Sequence, residues 1–175
     1  AFSICTLVNK PVEYERMLRS FAAHGFDETN AEFIRVDNTE GNVLDGFAAI
    51  PKFLDQAAGR YVIVCHQDIE LVDDGIDELR CVLDDLEKRD PSWALAGNAG
   101  VRGLSGWAVR VTDIYYGPNA RTGALPARVD SLDENFLVFK RDAMLLPSEG
   151  LSGFFFCGLD LCLQSVEHRR DAARC

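Results

Sequence analysis

The segment YVIVCHQDIEL, residues 61–71, sets an imidazole and a carboxylate, His66 and Asp68, two positions apart directly after an apolar run. If extended geometry persists past that run, both side chains point to the same side. A carboxylate at a strand end with open coordination positions can hold Mg²⁺ or Mn²⁺ against a diphosphate, because hard cations take oxygen ligands. Taken alone, the triplet reads first as a strand-end turn, since single carboxylates after strands are common. A second polar cluster, Asp37-Asn38-Thr39, follows another short apolar segment. Asp and Asn favour turns by bonding their own backbone. A carboxylate at this point can equally accept bonds from a base or a ribose hydroxyl. Three further acids stand out toward the end of the chain: Asp133, Glu134 and Asp160. Asp160 falls in the first turn of a predicted helix, where the macrodipole favours a carboxylate in any case. Its alternative role is that of a general base beside an acceptor hydroxyl.

Strands and helices must position these groups, and the apolar pattern supplies them. FSICTLV reads as a strand; Asn9 is a candidate cap and Pro11 suits a first helical turn. Tyr14, Met17, Leu18, Phe21 and Ala22 then recur at helical spacing until Gly25. Residues 33–36 predict a short strand, and residues 43–58 a helix that Pro51 delays or breaks. After the buried strand at 61–65, Val72, Ile76, Leu79, Leu83 and Leu86 share one face of an acid-rich helix, with Asp73 or Asp74 at its cap. Strand and helix alternating in this way imply an α/β fold with a mostly parallel, doubly wound sheet. Ligands of such sheets bind outside the carboxyl ends of the strands, here occupied by Asn9, Asp37-Asn38 and His66-Gln67-Asp68. The second half is less regular. Residues 94–97 and 107–111 read as strands around the glycine-rich NAGVRGLSG, residues 116–128 as a loop, and 136–139 as a strand. A last helix begins near Gly158, with Leu159, Cys162, Leu163 and Val166 on one face.

Composition narrows the function classes. The chain has 175 residues, 47% of them hydrophobic, enough for one domain with its own core. Eighteen basic against 28 acidic residues give a net charge of −10, which argues against nucleic acid or an anionic lipid surface as a general partner. An anionic ligand would need a local device, a metal ion or a helix N-terminus. No apolar run reaches membrane-spanning length. The opening AFSICTLVNK does not read as a signal peptide. The six cysteines show no CxxC pair and no zinc-type spacing, and several sit in apolar segments, as expected of free thiols in a reduced, cytoplasmic protein. Neither GxGxxG nor GxxxxGK[ST] occurs, so dinucleotide and P-loop readings fall away. Nor is there a GxSxG elbow for Ser/His/Asp catalysis. His24 and His168 read as surface or helix-end residues.

Taken in order, SICTLVN, FIRVDNTEGN, AAGRYVIVCHQDIEL, LDENFLVFKRDAM and FFFCGLDLCLQS resemble a family-2-type glycosyltransferase with the GT-A fold. The likeness is to the bacterial branch that carries HQD where others carry Asp-x-Asp. That resemblance implies a three-layer α/β/α sandwich formed by one domain over 1–175. Residues 1–90 would be its nucleotide-sugar-binding half and 91–175 a shortened acceptor-side half. It implies a nucleotide-diphosphate sugar donor, a saccharide or glycolipid acceptor, and Mn²⁺ or Mg²⁺ as cofactor. Thr6, Val8, Asn9, Asp37, Asn38 and Gln67 would line the nucleotide pocket, with Asp68 and His66 at the metal. Asp160 and Asp133 would be the catalytic carboxylates. A homo-oligomer is compatible with the resemblance, as is a position peripheral to the inner face of the membrane. Related enzymes commonly carry an acid two positions before the Asp-Leu of the last helix; Gly158 stands there in this chain. That departure keeps a second reading open, a nucleotide-sugar-binding module without turnover. A third, a nucleotidyltransferase on a similar sheet, lacks the glycine-rich, basic loop it would need after the first strand.

Overall fold

The computed structural model describes residues 1–115 and 117–172, with side chains through residue 167 at the C-terminal end. The side chain of His168 and all of Cys175 therefore lie outside the described part of the chain.

Strand β1 (Phe2–Val8) leads into helix α1 (Pro11–Ala23), strand β2 (Ala31–Asp37), helix α2 (Gly46–Gln56), strand β3 (Tyr61–Cys65) and helix α3 (Ile76–Arg89). This is the alternation read from the apolar pattern. Strand β4 (Leu95–Gly97) follows, then β5 (Ala99–Arg102), β6 (Gly106–Asp113), β7 (Gly117–Thr122) and β8 (Ser131–Leu132). Strand β9 (Phe136–Lys140) and helix α4 (Cys157–Ala172) complete the order.

Five strands form the main sheet in the order β2-β1-β3-β9-β4. Strand β1 pairs in parallel with β2 along its length and with β3 over Phe2–Cys5. The sheet is nevertheless mixed, because β9 runs antiparallel to both β3 and β4. FLVF is a continuous apolar run, and such a run carries no record of strand direction. A second, four-stranded sheet, β7-β6-β5-β8, is antiparallel throughout. It corrects the loop expected over 116–128 in its first part, since β7 pairs with β6 over Gly117–Thr122, while 123–128 belong to no strand or helix. The glycines and Pro118 mask a ribbon whose hydrogen bonds come from the partner strand, not from side-chain burial.

Side chains alternate across the main sheet and build one apolar cluster on each face. Cys5, Val62, Leu137 and Phe139 face α2 and α4, packing on Phe47, Ile50, Phe53 and Leu161. Ile4, Val8, Ile63 and Val138 face α1 and α3, packing on Tyr14, Met17, Phe21 and Leu83. Burial explains why Pro51 does not break α2. Losing one helical hydrogen bond costs about 3 kcal/mol, and four fully or nearly fully buried side chains of α2 more than offset it at about 1.5–3 kcal/mol each. Asp45 also caps α2, accepting from the Ala48 N–H at 2.8 Å. Two expected caps are replaced. Asn9 does not cap α1, whose N-cap is Lys10 without a side-chain bond. Helix α3 begins after Gly75, with Glu78 Oε2 accepting the Gly75 N–H at 2.9 Å, which leaves Asp73, Asp74 and the exposed Val72 before it.

Helix α4 starts unusually close to β8. A Cβ built on Gly158 would lie 2.1 Å from the Leu132 carbonyl oxygen, a contact no side chain can relieve. Gly158→Ala is therefore expected to lower stability by about 2 kcal/mol or more, through displacement of backbone against backbone. Urea unfolding at neutral pH checks this; a midpoint within error of wild type would contradict the close approach.

Candidate functional site

A cleft of about 440 Å³ opens on the α2 face of the main sheet, at the carboxyl ends of β1 and β3. Leu7, Val64 and Leu137 from the strands and Ile50 and Phe53 from α2 form its apolar floor. The crevice lies where β2 and β3 flank β1 on opposite sides, the position at which open α/β sheets bind ligands. Asn9, Asn38, His66, Gln67 and Asp68 rim it.

The rim residues divide into structural and available groups. Gln67 Oε1 accepts from the Asn9 and Lys10 N–H groups at 2.9 and 2.8 Å, and its Nε2 donates to Asn9 Oδ1 at 2.5 Å. The amide thus joins the ends of β1 and β3 and satisfies backbone donors ahead of α1. Asn38 is 5% exposed; its Oδ1 accepts from Val43 and Leu44 N–H, and its Nδ2 donates to the Leu44 carbonyl. It shapes the loop into α2. Asp37 is exposed outside the cleft lining, and the Thr39 hydroxyl and N–H hold its carboxyl below the usual range. Thr6 and Val8 point away from the cleft, into the α1 face of the core. Thr6 is fully buried with its hydroxyl toward Met17 Sδ and Cys65 Sγ, and Val8 is 2% exposed. Strand alternation dictates this, because Leu7 alone of the three turns toward α2. His66 and Asp68 remain exposed on the rim, and neither side chain has a hydrogen bond to the described residues.

Neither of the two carboxylates expected to be catalytic lines the larger cleft. Both oxygens of Asp160 are engaged by Ser148, at 2.8 Å from its N–H and 2.5 Å from its hydroxyl, and Asp160 lines neither cavity of this region. It holds the segment before α4 in place. Asp133 accepts the Asn135 N–H at 2.9 Å and borders a second cavity of about 250 Å³. Glu134 borders both cavities, and its Oε1 accepts the Gly158 N–H at 3.1 Å. The sequence pointed to Glu134 as one acid among three; only the approach of β8 to α4 singles it out. The aromatic rings of Trp107, Phe155 and Phe156 beside it were not foreseen either. The run FFF just ahead of a helix was their one visible signal.

No Lys or Arg occurs among the described residues lining the larger cleft; its ionisable side chains are His66, Asp68, Glu134 and Cys157, while Cys65 borders it but turns its Sγ toward Thr6 and Met17 on the α1 face. Burial pushes the Cys65 and Cys157 thiols up to about 12, so neither supplies a thiolate near neutral pH. No cluster of three metal-binding side chains exists among the described residues. Two ligands at the rim of an open cleft still fit a cation that completes its sphere with substrate phosphates and water, as Mg²⁺ commonly does.

Comparison with known proteins sets this geometry in context. A protein of Fuscovulum blasticum, ATP synthase subunits region ORF 6, is 42% identical over 170 residues, covering 94% of this chain and 68% of that protein. The chain belongs to that protein's family. No protein-family model matches it. Among solved structures, S. aureus TarS 1-349 superposes over 95% of this chain and 54% of its own length, with a TM-score of 0.55 and 16% identity. The same fragment in complex with UDP-GlcNAc gives a TM-score of 0.56 at 14% identity, covering 95% and 53%. A197 from STIV matches at 0.53 and 12%, covering 96% of this chain and 78% of its own. The chain thus spans about half of the TarS fragment, and the likeness establishes a glycosyltransferase-like fold. Among the described residues no helix is long and apolar enough to cross a membrane.

Asp45 ties the cleft's helix to the aromatic segment. Besides capping α2, its Oδ2 accepts the Gly153 N–H at 2.8 Å. The Ala48 and Gly153 N–H groups hold its carboxyl below the usual range. The folded pKa is lower than the unfolded value of about 3.9, so its contribution is complete above that value and fades as pH falls through the folded one. Asp45→Ala is expected to cost about 1 kcal/mol at neutral pH. The gap to wild type should close in strong acid, as read from urea midpoints across the pH range. A gap independent of pH would contradict the assignment.

Proposed function

We propose that this protein is a metal-dependent glycosyltransferase that takes a nucleoside-diphosphate sugar in the larger cleft and passes the sugar to a saccharide or glycolipid acceptor. The observation carrying this reading is the crevice itself. It lies at the carboxyl ends of β1 and β3, with His66 and Asp68 unengaged on its rim and no Lys or Arg among the described residues of its lining. The fold adds support, since it superposes on TarS 1-349, a protein whose structure is known in complex with UDP-GlcNAc.

In this reading the donor's base and ribose lie over the apolar floor between Asn9 and Asn38, and the diphosphate faces Asp68. Asp68, with His66, would hold Mn²⁺ or Mg²⁺, which when bound supplies the positive charge that stabilises a leaving diphosphate. A net charge of −10, with no lysine or arginine among the described residues of the site, makes such a cation the natural partner of an anionic donor. Gln67 and Asn38 act on the donor indirectly, by fixing the two loops that border it.

A second reading, a nucleotide-sugar-binding module without turnover, draws on one observation: Asp160 is consumed by Ser148, and Gly158 supplies no carboxylate. Donor hydrolysis or transfer over long incubation separates the two.

Thermal unfolding in the presence of UDP-, GDP- and dTDP-sugars, with and without Mn²⁺, tests the donor reading. Stabilisation by a matching donor should require the cation, reaching about 2.7 kcal/mol at a hundredfold excess over Kd. Asp68→Ala should keep the fold and weaken cation-dependent donor binding at least tenfold by calorimetry. Unchanged affinity in that variant would remove Asp68 from the metal site, and absence of any donor effect would remove the function.

A further inference from the structure

The 250 Å³ cavity adjoins the larger cleft and shares two residues with it, Glu134 and Phe155. Its walls are otherwise of a different character. Trp107 from β6, Leu132 from β8 and Phe156 from the segment before α4 form an apolar and aromatic surface, and Asp133 and Glu134 close one end. Flat apolar walls with a few polar groups at one end suit a pyranose ring, which offers C–H faces for stacking and hydroxyls at its edge.

Phe156 is the least expected part of this wall. Its φ of +68° lies in the left-handed region, which a bulky side chain rarely adopts. The residue is 72% exposed, so burial does not offset the strain. Yet its carbonyl accepts the Asp160 N–H at 3.0 Å and opens α4. A strained residue that presents an aromatic ring to a cavity points to a ligand for that ring.

Glu134 stands where the two cavities meet. Its Oε1 is held by the Gly158 N–H, while Oε2 has no protein hydrogen bond among the described residues. The same Oε1 lies 3.5 Å from the position a Cβ would take at residue 158. Glu134 therefore brings a carboxylate from the strand side to a place where the helix has none.

We infer that the smaller cavity is the acceptor subsite for a sugar ring, stacked on Trp107, Phe155 and Phe156, and that Glu134 is the catalytic base between donor and acceptor. This inference rests on the larger cleft holding the donor. The acceptor oxygen forms a bond to the anomeric carbon as the bond from that carbon to the diphosphate oxygen breaks. The electron pair of the broken bond leaves with the diphosphate. The acceptor's hydroxyl proton passes to Glu134 Oε2 and from there to water after the product departs.

The test uses the full chain with Mn²⁺, four donors (UDP-GlcNAc, UDP-glucose, GDP-mannose and dTDP-rhamnose) and the methyl glycosides of glucose, galactose, mannose and N-acetylglucosamine. Nucleoside-diphosphate release, donor Kd and melting temperature are read in parallel. At least one glycoside should raise release by the wild type above hydrolysis by water. Glu134→Gln retains an oxygen for the Gly158 N–H, so it should melt with the wild type and bind donor within threefold. Its turnover should fall at least a hundredfold, with loss of the acidic limb of the pH–rate profile. Phe156→Gly relieves the backbone strain, so it should melt at or above the wild-type temperature while the acceptor KM rises at least tenfold. Turnover by Glu134→Gln within threefold of wild type overturns the base. An unchanged acceptor KM in Phe156→Gly, or donor binding with no response to any of the four glycosides, overturns the subsite. Failure of the wild type to bind any donor is a different result and removes the underlying donor reading.

Discussion

Strand β1 is hydrogen-bonded in parallel to β2 on one side and to β3 on the other, and that double pairing determines where chemistry can happen in this molecule. With three parallel strands, the loops that leave their carboxyl ends all emerge at one edge. Because the chain crosses over β1 to reach β3, the loops after β1 and β3 diverge and leave a crevice between them. Gln67 fixes the width of that crevice by bonding the backbone that follows β1. Asn38 does the same for the loop after β2. The polar residues at the strand ends are thus mostly committed to holding the opening in shape. What remains for a ligand is the apolar floor, the Phe154 and Phe155 rings, Asn42, His66, Asp68 and Glu134.

The first half of the chain was legible in the sequence because its elements obey periodicity. YVIVC had to be a buried strand, and the spacing of Tyr14, Met17 and Phe21 had to be a helix face; both pack as expected. Strand ends were equally readable, since Asn9 and His66-Gln67-Asp68 interrupt apolar runs. Which way their side chains point was not. Thr6 and Val8 were read as pocket residues, yet the two-residue repeat of β1 sends both into the α1 face, and only Leu7 reaches the cleft floor. Asp160 had the right chemistry and the right helix, but a serine twelve residues away in sequence takes both of its oxygens.

The second half resisted reading for a different reason. Of the second sheet, β6 is predicted as a strand at 107–111. Strands β5, β7 and β8 are short, exposed or glycine-containing segments held by cross-strand pairing, so the pattern that betrays a strand by burial is weak in them. The antiparallel entry of β9 between β3 and β4 is a tertiary fact with no local trace. From these two features comes the placement of Glu134 and of the aromatic segment, the parts of the site that sequence periodicity could not locate.

The contact between Gly158 and the Leu132 carbonyl has an implication for how such a site can change over generations. A side chain at 158 would bring its Cβ to 2.1 Å from the Leu132 carbonyl oxygen, so it is the backbone of β8, not a neighbouring side chain, that closes the position. Placing any side chain at 158 therefore demands a coordinated retreat of β8, not a single substitution.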